Sequence, residues 1–355
     1  MKAMILGAGI GSRLDPLTRS LPKPLVPIVG KPVMGHLIDL LRNNGFTDIM
    51  VNVQYLGQKI IDTIGDGSAY GVRVHYSREE ELCGDAGGVK RCESFFRDGA
   101  ADDDTFLVIG GDDLTDTDIG RVVAAHKAKN ALATLAVTPV EDPSEFGIVV
   151  AGDDGFVTRF QEKPKKGEAF SNLANTGIYV FQNRVFDYIP EATFFGFGNN
   201  VFPALMDAKE PVLAVPSDAY WKDVGNLNIY RQAQRDCMDR KVKVEFGMGG
   251  SPVPEMEPQT WIDPDAEIVG PGHVEGPAVV CADSLIQGTV KDYSVVGRKV
   301  TVEKGATVVN SILWDGACVK AGTYLENCVV GDGVTVSSSH GIFNGLIVEP
   351  VRPKK

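Results

Sequence analysis

Over the first 240 positions, apolar residues come in short runs separated by stretches with helical spacing. Ala3-Met4-Ile5-Leu6 is an unbroken apolar run of strand length. Val33, Leu37, Leu40 and Leu41 recur at helical intervals, and Gly45 stands where a left-handed C-terminal cap is favoured. Ile49-Met50-Val51-Asn52-Val53 predicts a second strand, Ile60, Ile61 and Ile64 a second helix, and Val72, Val74 and Tyr76 a third strand. Thr105 to Ile109 reads as a buried strand, and the helix after it carries Ile119, Val122 and Val123. Such alternation predicts an α/β domain whose sheet is largely parallel and covered by helices on both faces. Ile148-Val149-Val150 and Val157 to Phe160 flank Gly152-Asp153-Asp154-Gly155, which predicts a hairpin inserted into that pattern.

A different period governs the C-terminal part. Ile262, Ile268, Val274, Val280 and Ile286 recur every six residues. After a phase slip Val290, Val296, Val302 and Val308 do the same, and Leu313, Val319 and Leu325 continue the series. A hexapeptide period predicts a β-helix whose coils stack their apolar edges. Lys241 to Pro258, rich in Gly, Pro and Glu, is the expected linker. The expected division is therefore residues 1–240, a linker at 241–260, and a β-helix at 261–345.

Composition narrows the function. A length of 355 residues with 43% hydrophobic and 23% charged content is ordinary for a folded protein of two domains. No apolar run reaches the length of a membrane span, and the first strand begins too early for a signal peptide, so the expected location is cytoplasmic. The six cysteines are scattered without zinc-ligand spacing, which predicts reduced thiols. A net charge of −12 argues against nucleic acid and anionic membranes as partners. A phosphate-bearing substrate would then be held by a few local cations and a divalent metal.

Leu6-Gly7-Ala8-Gly9-Ile10-Gly11-Ser12-Arg13 follows the first strand, where backbone N–H groups can face a phosphate. Counting from Gly7, Ser12 stands where a dinucleotide-binding loop carries its third glycine, Arg13 comes directly after it, and Lys23 follows on the stiff segment Pro22-Lys23-Pro24. Two cations beside a phosphate cradle suit charge stabilisation during chemistry on a triphosphate. Gly111-Asp112-Asp113 places a carboxylate pair past the end of a strand, and Trp221-Lys222-Asp223-Val224-Gly225 adds another. Mg²⁺ takes only one or two protein oxygens, so Asp112 and Asp223 are the expected metal ligands, with helix capping the structural alternative for Asp112 or Asp113. Glu162-Lys163-Pro164 and Asn175-Thr176-Gly177 supply a cation, a carboxylate, an amide and a hydroxyl that suit a sugar phosphate.

In this order the motifs resemble the sugar-1-phosphate nucleotidyltransferases, over nearly the whole chain. The matches are G-x-G-x-R at Gly9 to Arg13, P-K-P around Lys23, G-D at Gly111-Asp112, E-K-P at Glu162, T-G-I-Y at Thr176 and W-x-D-x-G at Trp221. The resemblance implies a Rossmann-like nucleotidyltransferase domain with a mixed, mainly parallel sheet, followed by a hexapeptide-repeat left-handed β-helix. It implies that a sugar 1-phosphate attacks the α-phosphorus of an NTP with Mg²⁺ as cofactor, releasing pyrophosphate. Arg13, Lys23, Asp112 and Asp223 would be catalytic. Leu6, Gly7, Ala8, Gly9, Gly11, Ser12, Glu79, Glu80, Gly84, Gly87 and Asp112 would hold the nucleotide, and Gly147, Glu162, Lys163, Asn175, Thr176 and Trp221 the sugar phosphate.

Ser77 to Gly87, with its acidic run, is similar to the base-binding segment of GDP-mannose pyrophosphorylases, though those usually carry Thr where this chain has Asp85. A carboxylate at Glu79 or Glu80 could accept both N–H donors of guanine, so GTP with mannose 1-phosphate is the first expectation. Gly87-Gly88-Val89-Lys90 also resembles glucose-1-phosphate uridylyltransferases, which makes UTP or dTTP with glucose 1-phosphate the second. A noncatalytic regulatory subunit is opposed by the presence of Arg13, Lys23, Asp112 and Asp223. An acyltransferase is opposed by a β-helix of about 80 residues offering only His273 and His340, so that domain is expected to build a homo-oligomer. Truncation near Glu255 is then expected to leave a folded catalytic domain.

Overall fold

The computed structural model describes residues 1–99, 104–246, 255–257 and 259–349. Much of the expected linker lies outside them. Compactness divides the chain into one unit of Met1–Ile10 with Leu37–Trp221 and another of Gly11–His36 with Lys222–Lys355.

The first unit is built on a nine-stranded mixed sheet. Its strands are β1 (Lys2–Leu6), β2 (Asp48–Val53), β3 (Arg73–Arg78), β4 (Thr105–Gly110), β5 (Ala133–Pro139), β6 (Gly147–Ala151), β7 (Val157–Glu162), β8 (Leu173–Gln182) and β9 (Val212–Pro216). The order along the main path is β7-β6-β8-β4-β1-β2-β3, with β5 pairing both β8 and β9. β4, β1, β2 and β3 run parallel, as the alternating pattern predicts, whereas β8 is antiparallel to β4, β5 and β6. The predicted hairpin is β6–β7. Helices α1 (Val33–Asn43), α2 (Gly57–Ile64), α3 (Gly84–Arg91) and α4 (Ile119–Ala128) occupy the intervals. Asp118, whose Oδ1 accepts from Arg121 N, caps α4. Neither Asp112 nor Asp113 therefore has that duty.

In the second unit the hexapeptide pattern forms a β-helix of three parallel faces. One face stacks Thr260–Ile262, Ala278–Val280, Ser294–Val296, Ile312–Leu313, Val329–Val330 and Leu346–Ile347. Inward-facing Val280, Ile286, Val290, Val296, Val302, Val308, Leu313, Val319 and Leu325 make one continuous buried core. β-Branched side chains suit such short strands, and small residues leave room at the corners. At one corner Ser294 Oγ accepts from Ser311 N, and Ser311 Oγ from Cys328 N. At the same corner, one residue earlier in each coil, Asn310 Nδ2 donates to Asn327 Oδ1 at 3.3 Å and Asn327 Nδ2 donates to Asn344 Oδ1. Helix α5 (Leu227–Met238), capped by Asn226, belongs to this unit, as does the short hairpin of Pro27–Ile28 and Lys31–Pro32.

Candidate active site

In the first unit the glycine loop leaves the carboxyl end of β1. Register sets its surroundings, because Leu6 lies beside Asn52 of β2 on one side and Gly110 of β4 on the other. Asn52 Oδ1 accepts from Gly7 N at 2.9 Å, and Asn52 Nδ2 donates to Glu79 Oε1 at 2.7 Å. Glu79 Oε2 accepts from Cys83 N at 3.1 Å. Both Asn52 and Glu79 are buried, so this chain of bonds ties the glycine loop to the turn at Cys83 from inside. Gly7 N and Glu79, both expected at the nucleotide, take part in this network. Glu80 is the exposed carboxylate beside it. Gly88 is fitted to the same network, since a Cβ there would lie 2.7 Å from Glu79 Oε1.

Gly111 N donates to Leu6 O at 2.9 Å, an approach that a Cβ would obstruct. That contact brings Asp112, half-buried, and Asp113, buried, beside the glycine loop, both leaning over Gly110. Gly9 is exposed, with open space where a Cβ would stand.

The turn at Gly84 to Gly87, expected to bind the base, is laced to a distant segment. Phe195 N donates to Cys83 O and Gly87 N donates to Phe195 O. Asp85 Oδ1 accepts from Ala86 N and from Phe197 N, both at 2.8 Å. Burial pushes the Asp85 carboxyl upward and these N–H donors oppose the shift. Asp85 thus stands at the start of α3 as an internal acceptor, which accounts for a carboxylate at this position. Beyond Phe197, Gly198 packs on Glu162, and Gly147 flanks Glu162 from another side. Burial also raises Glu162, with Lys163 opposing and Asp85 adding to the rise.

Lys163 is exposed and holds a φ of 42°, a strained conformation fixed by its N–H on Phe146 O. Trp221 meets Phe146 edge to face, and its Nε1 is buried with no hydrogen-bond partner among the described residues. Asn175 donates to Tyr179 OH and accepts from Gly177 N, while Thr176 Oγ1, buried, donates to Ala136 O. Those two residues, expected at the sugar phosphate, tie β8 to itself and to β5.

The second unit holds the cations. Arg13 Nη2 lies 2.9 Å from Asp223 Oδ2, and Lys23 Nζ lies 2.5 Å from Asp223 Oδ1. Gly11, at φ 67°, lets the Lys23 stem pass against its backbone, and Gly225 does the same for the Arg13 guanidinium. Thr18 Oγ1 donates to Gly11 O and closes the loop. Residues 200 positions apart thereby meet at one carboxylate. Ser12, Ala8 and Leu6 lie along the same loop, divided between the two units. Sequence reasoning missed Asn52, whose signal was an amide closing an otherwise apolar strand, and Phe195 and Phe197, which carried none.

A sequence profile of the nucleotidyl transferase family matches residues 2–240, and one of the GlmU-like C-terminal hexapeptide matches residues 272–344. The chain is 38% identical to a UTP–glucose-1-phosphate uridylyltransferase of Synechocystis, over 92% of this chain and 90% of the relative. It is 30% identical to a mannose-1-phosphate guanylyltransferase of Mycobacterium tuberculosis, over 91% of this chain and 82% of the relative. A solved Bacillus anthracis structure, described as a glucose-1-phosphate thymidylyltransferase, superposes with a TM-score of 0.61 at 26% identity, covering 70% of this chain and 97% of that one.

Proposed function

The chain belongs to the sugar-1-phosphate nucleotidyltransferases, and from that premise we propose that it transfers a nucleotidyl group from UTP to glucose 1-phosphate. The observation that carries the mechanistic part is the pairing of Arg13 and Lys23 on Asp223 beside Gly11. Two cations held on one carboxylate can turn to phosphate oxygens without being recruited from solvent. In this reading the phosphate oxygen of the sugar phosphate attacks the α-phosphorus in line and pyrophosphate leaves. Arg13 neutralises the leaving pyrophosphate, Lys23 the α-phosphate, and Lys163 the sugar phosphate. The attacking oxygen is already an anion, so no general base is required. Trp221 Nε1, a buried donor, offers itself to a sugar hydroxyl, and Glu162 accepts from another.

Among the described residues no three metal-ligating side chains cluster. Single carboxylates fit Mg²⁺ arriving with the triphosphate, because that ion keeps its waters and takes one or two protein oxygens. Asp112 and Asp223 would supply those oxygens, and the ion would neutralise triphosphate charge. We further propose a cytoplasmic homo-oligomer assembled through the β-helix. No helix of the described residues is long and apolar enough to cross a membrane.

UTP is preferred over GTP because Glu79, one of the two expected guanine readers, is committed to Asn52 and Cys83 N, and because the 38% identical relative carries the uridylyl name. The exposed Glu80 and the guanylyltransferase relative favour GTP with mannose 1-phosphate as the second reading. Pyrophosphate release, measured for each NTP against glucose and mannose 1-phosphates with Mg²⁺, separates them. UTP with glucose 1-phosphate is expected to give the highest kcat/KM. A higher value for GTP with mannose 1-phosphate replaces the first reading by the second. Arg13→Ala should lower kcat by roughly 10²–10³-fold, the scale of one lost charge-stabilising donor, whereas Lys163→Ala should mainly raise KM for the sugar phosphate. The opposite pattern would exchange their roles.

A further inference from the structure

The cation-bearing loop is held in place by residues far from any expected ligand contact. Lys23 sits in a tight turn, with Leu25 N on Pro22 O and Val26 N on Lys23 O, and the hairpin of Pro27–Ile28 and Lys31–Pro32 follows at once. The turn of that hairpin puts Val29 at φ 44° and Gly30 at φ 82°. A fully buried β-branched residue in the left-handed region is costly, so the turn must be over-determined by its neighbours.

Those neighbours are α5 and the β-helix. Val29 N donates to Gln234 Oε1, and Gln234 Nε2 donates to Pro27 O, both at 2.7 Å. Tyr230 OH, fully buried, donates to Pro27 O at 3.0 Å and accepts from Trp314 Nε1 at 2.8 Å. Gly30 lies so close to Cys281 Sγ that a Cβ on it would overlap the sulfur. Arg231 Nη2 donates to Asn327 O at 2.8 Å. Cys281, Trp314 and Asn327 all belong to β-helix coils.

We propose that the β-helix is a positioning element of the transfer reaction: Trp314 through Tyr230, and Cys281 against Gly30, fix the hairpin that places Lys23 on Asp223. This rests on the assignment of Arg13 and Lys23 to the chemistry. Slack in the hairpin moves Lys23 along its turn, and charge stabilisation is steeply sensitive to such a displacement.

The test uses the full chain with Trp314→Phe, Tyr230→Phe and the double variant, following kcat, both KM values and amide exchange at Val26 and Val29. Trp314→Phe keeps an aromatic ring, smaller than the indole, and removes the donor. Each single variant is expected to lower kcat about tenfold with both KM values within twofold, and to speed exchange at both amides. The double variant should lose no more than the worse single, since both break one relay. Trp314→His, which restores a ring N–H, should recover kcat. Folded single variants with kcat within twofold of the parent, unchanged amide exchange, or losses that multiply in the double variant would each overturn the proposal. Should Trp314→Phe fail to fold, Tyr230→Phe and Trp314→His carry the same comparison. Arg13→Ala and Lys23→Ala provide the separate check: full kcat in both removes the assignment beneath the proposal, and the proposal with it.

Discussion

Asn52 uses one amide to join three segments, and it does so only because β1 and β2 pair with Leu6 beside it. The strand itself was legible from Ile49 to Val53. The bond was not, because it depends on sheet register, which no local pattern encodes. Arg13, Lys23 and Asp223 were legible as charged residues in spaced motifs, yet their meeting at one carboxylate is a property of the fold. Asp85 was visible only as a departure, and the reason for it lies 112 positions away at Phe197 N. Removing that acceptor leaves a buried N–H unpaired, so Asp85→Ala should cost about 1–3 kcal/mol in denaturant unfolding, and Asp85→Asn should restore most of it. His126 adds a pH dependence. Its ring is buried, with Nδ1 on Thr134 Oγ1, and burial lowers its pKa from 6.5 to about 4. The unfolded chain therefore binds the proton more readily, and the stability contribution present above pH 6.5 is lost as the pH falls toward 4. The loss should reach about 3 kcal/mol, and His126→Gln should flatten the acid limb of a stability-against-pH curve.

The elements followed their periodicities closely. Period two and apolar runs gave the strands, the spacing of Ile60, Ile61 and Ile64 gave α2, and Gly45 closes the turn after α1 at φ 81°. What the alternation concealed was the antiparallel strand β8, whose segment Ile178 to Phe181 is as apolar as a parallel strand. Buried on both faces, either direction reads alike. In the β-helix the phase slips at Ile286–Val290 and Val308–Leu313 shorten coils without breaking the stack, because Val290 and Leu313 still point inward. Its corners depend on residues that tolerate the left-handed region, with Asn310, Asn327 and Asn344 at φ 45°, 54° and 55°. Asn327→Val should lower the melting temperature through about 1–2 kcal/mol of backbone strain in addition to the broken ladder. Asn327→Gly, which relieves the strain and loses only the ladder, should cost less. Equal losses would show that the ladder alone matters.

At the scale of the whole chain, the two compact units do not follow the linear boundary suggested by composition, since Gly11–His36 joins Lys222–Lys355. That arrangement changes the outcome expected of truncation. A chain ending at Phe246 lacks Cys281, Trp314 and Asn327, and leaves Gly30, Tyr230 and Arg231 without those partners. It should give poor soluble yield and turnover at least tenfold below the full chain, as read by circular dichroism and pyrophosphate release. Parent-like turnover from a well-folded truncated chain would restore the simpler view of two independent modules. The same interlacing has a consequence for synthesis. Cys281 and Trp314 are made roughly 260 to 300 residues after the loop with Arg13 and Lys23, on the order of ten seconds or more at usual elongation rates. During that interval the nascent chain holds all of β1 to β9 but neither Cys281, which meets Gly30, nor Trp314, which meets Tyr230. A chain released at that stage would carry the sheet and both cations, but without the β-helix side chains packed on the hairpin and on Tyr230.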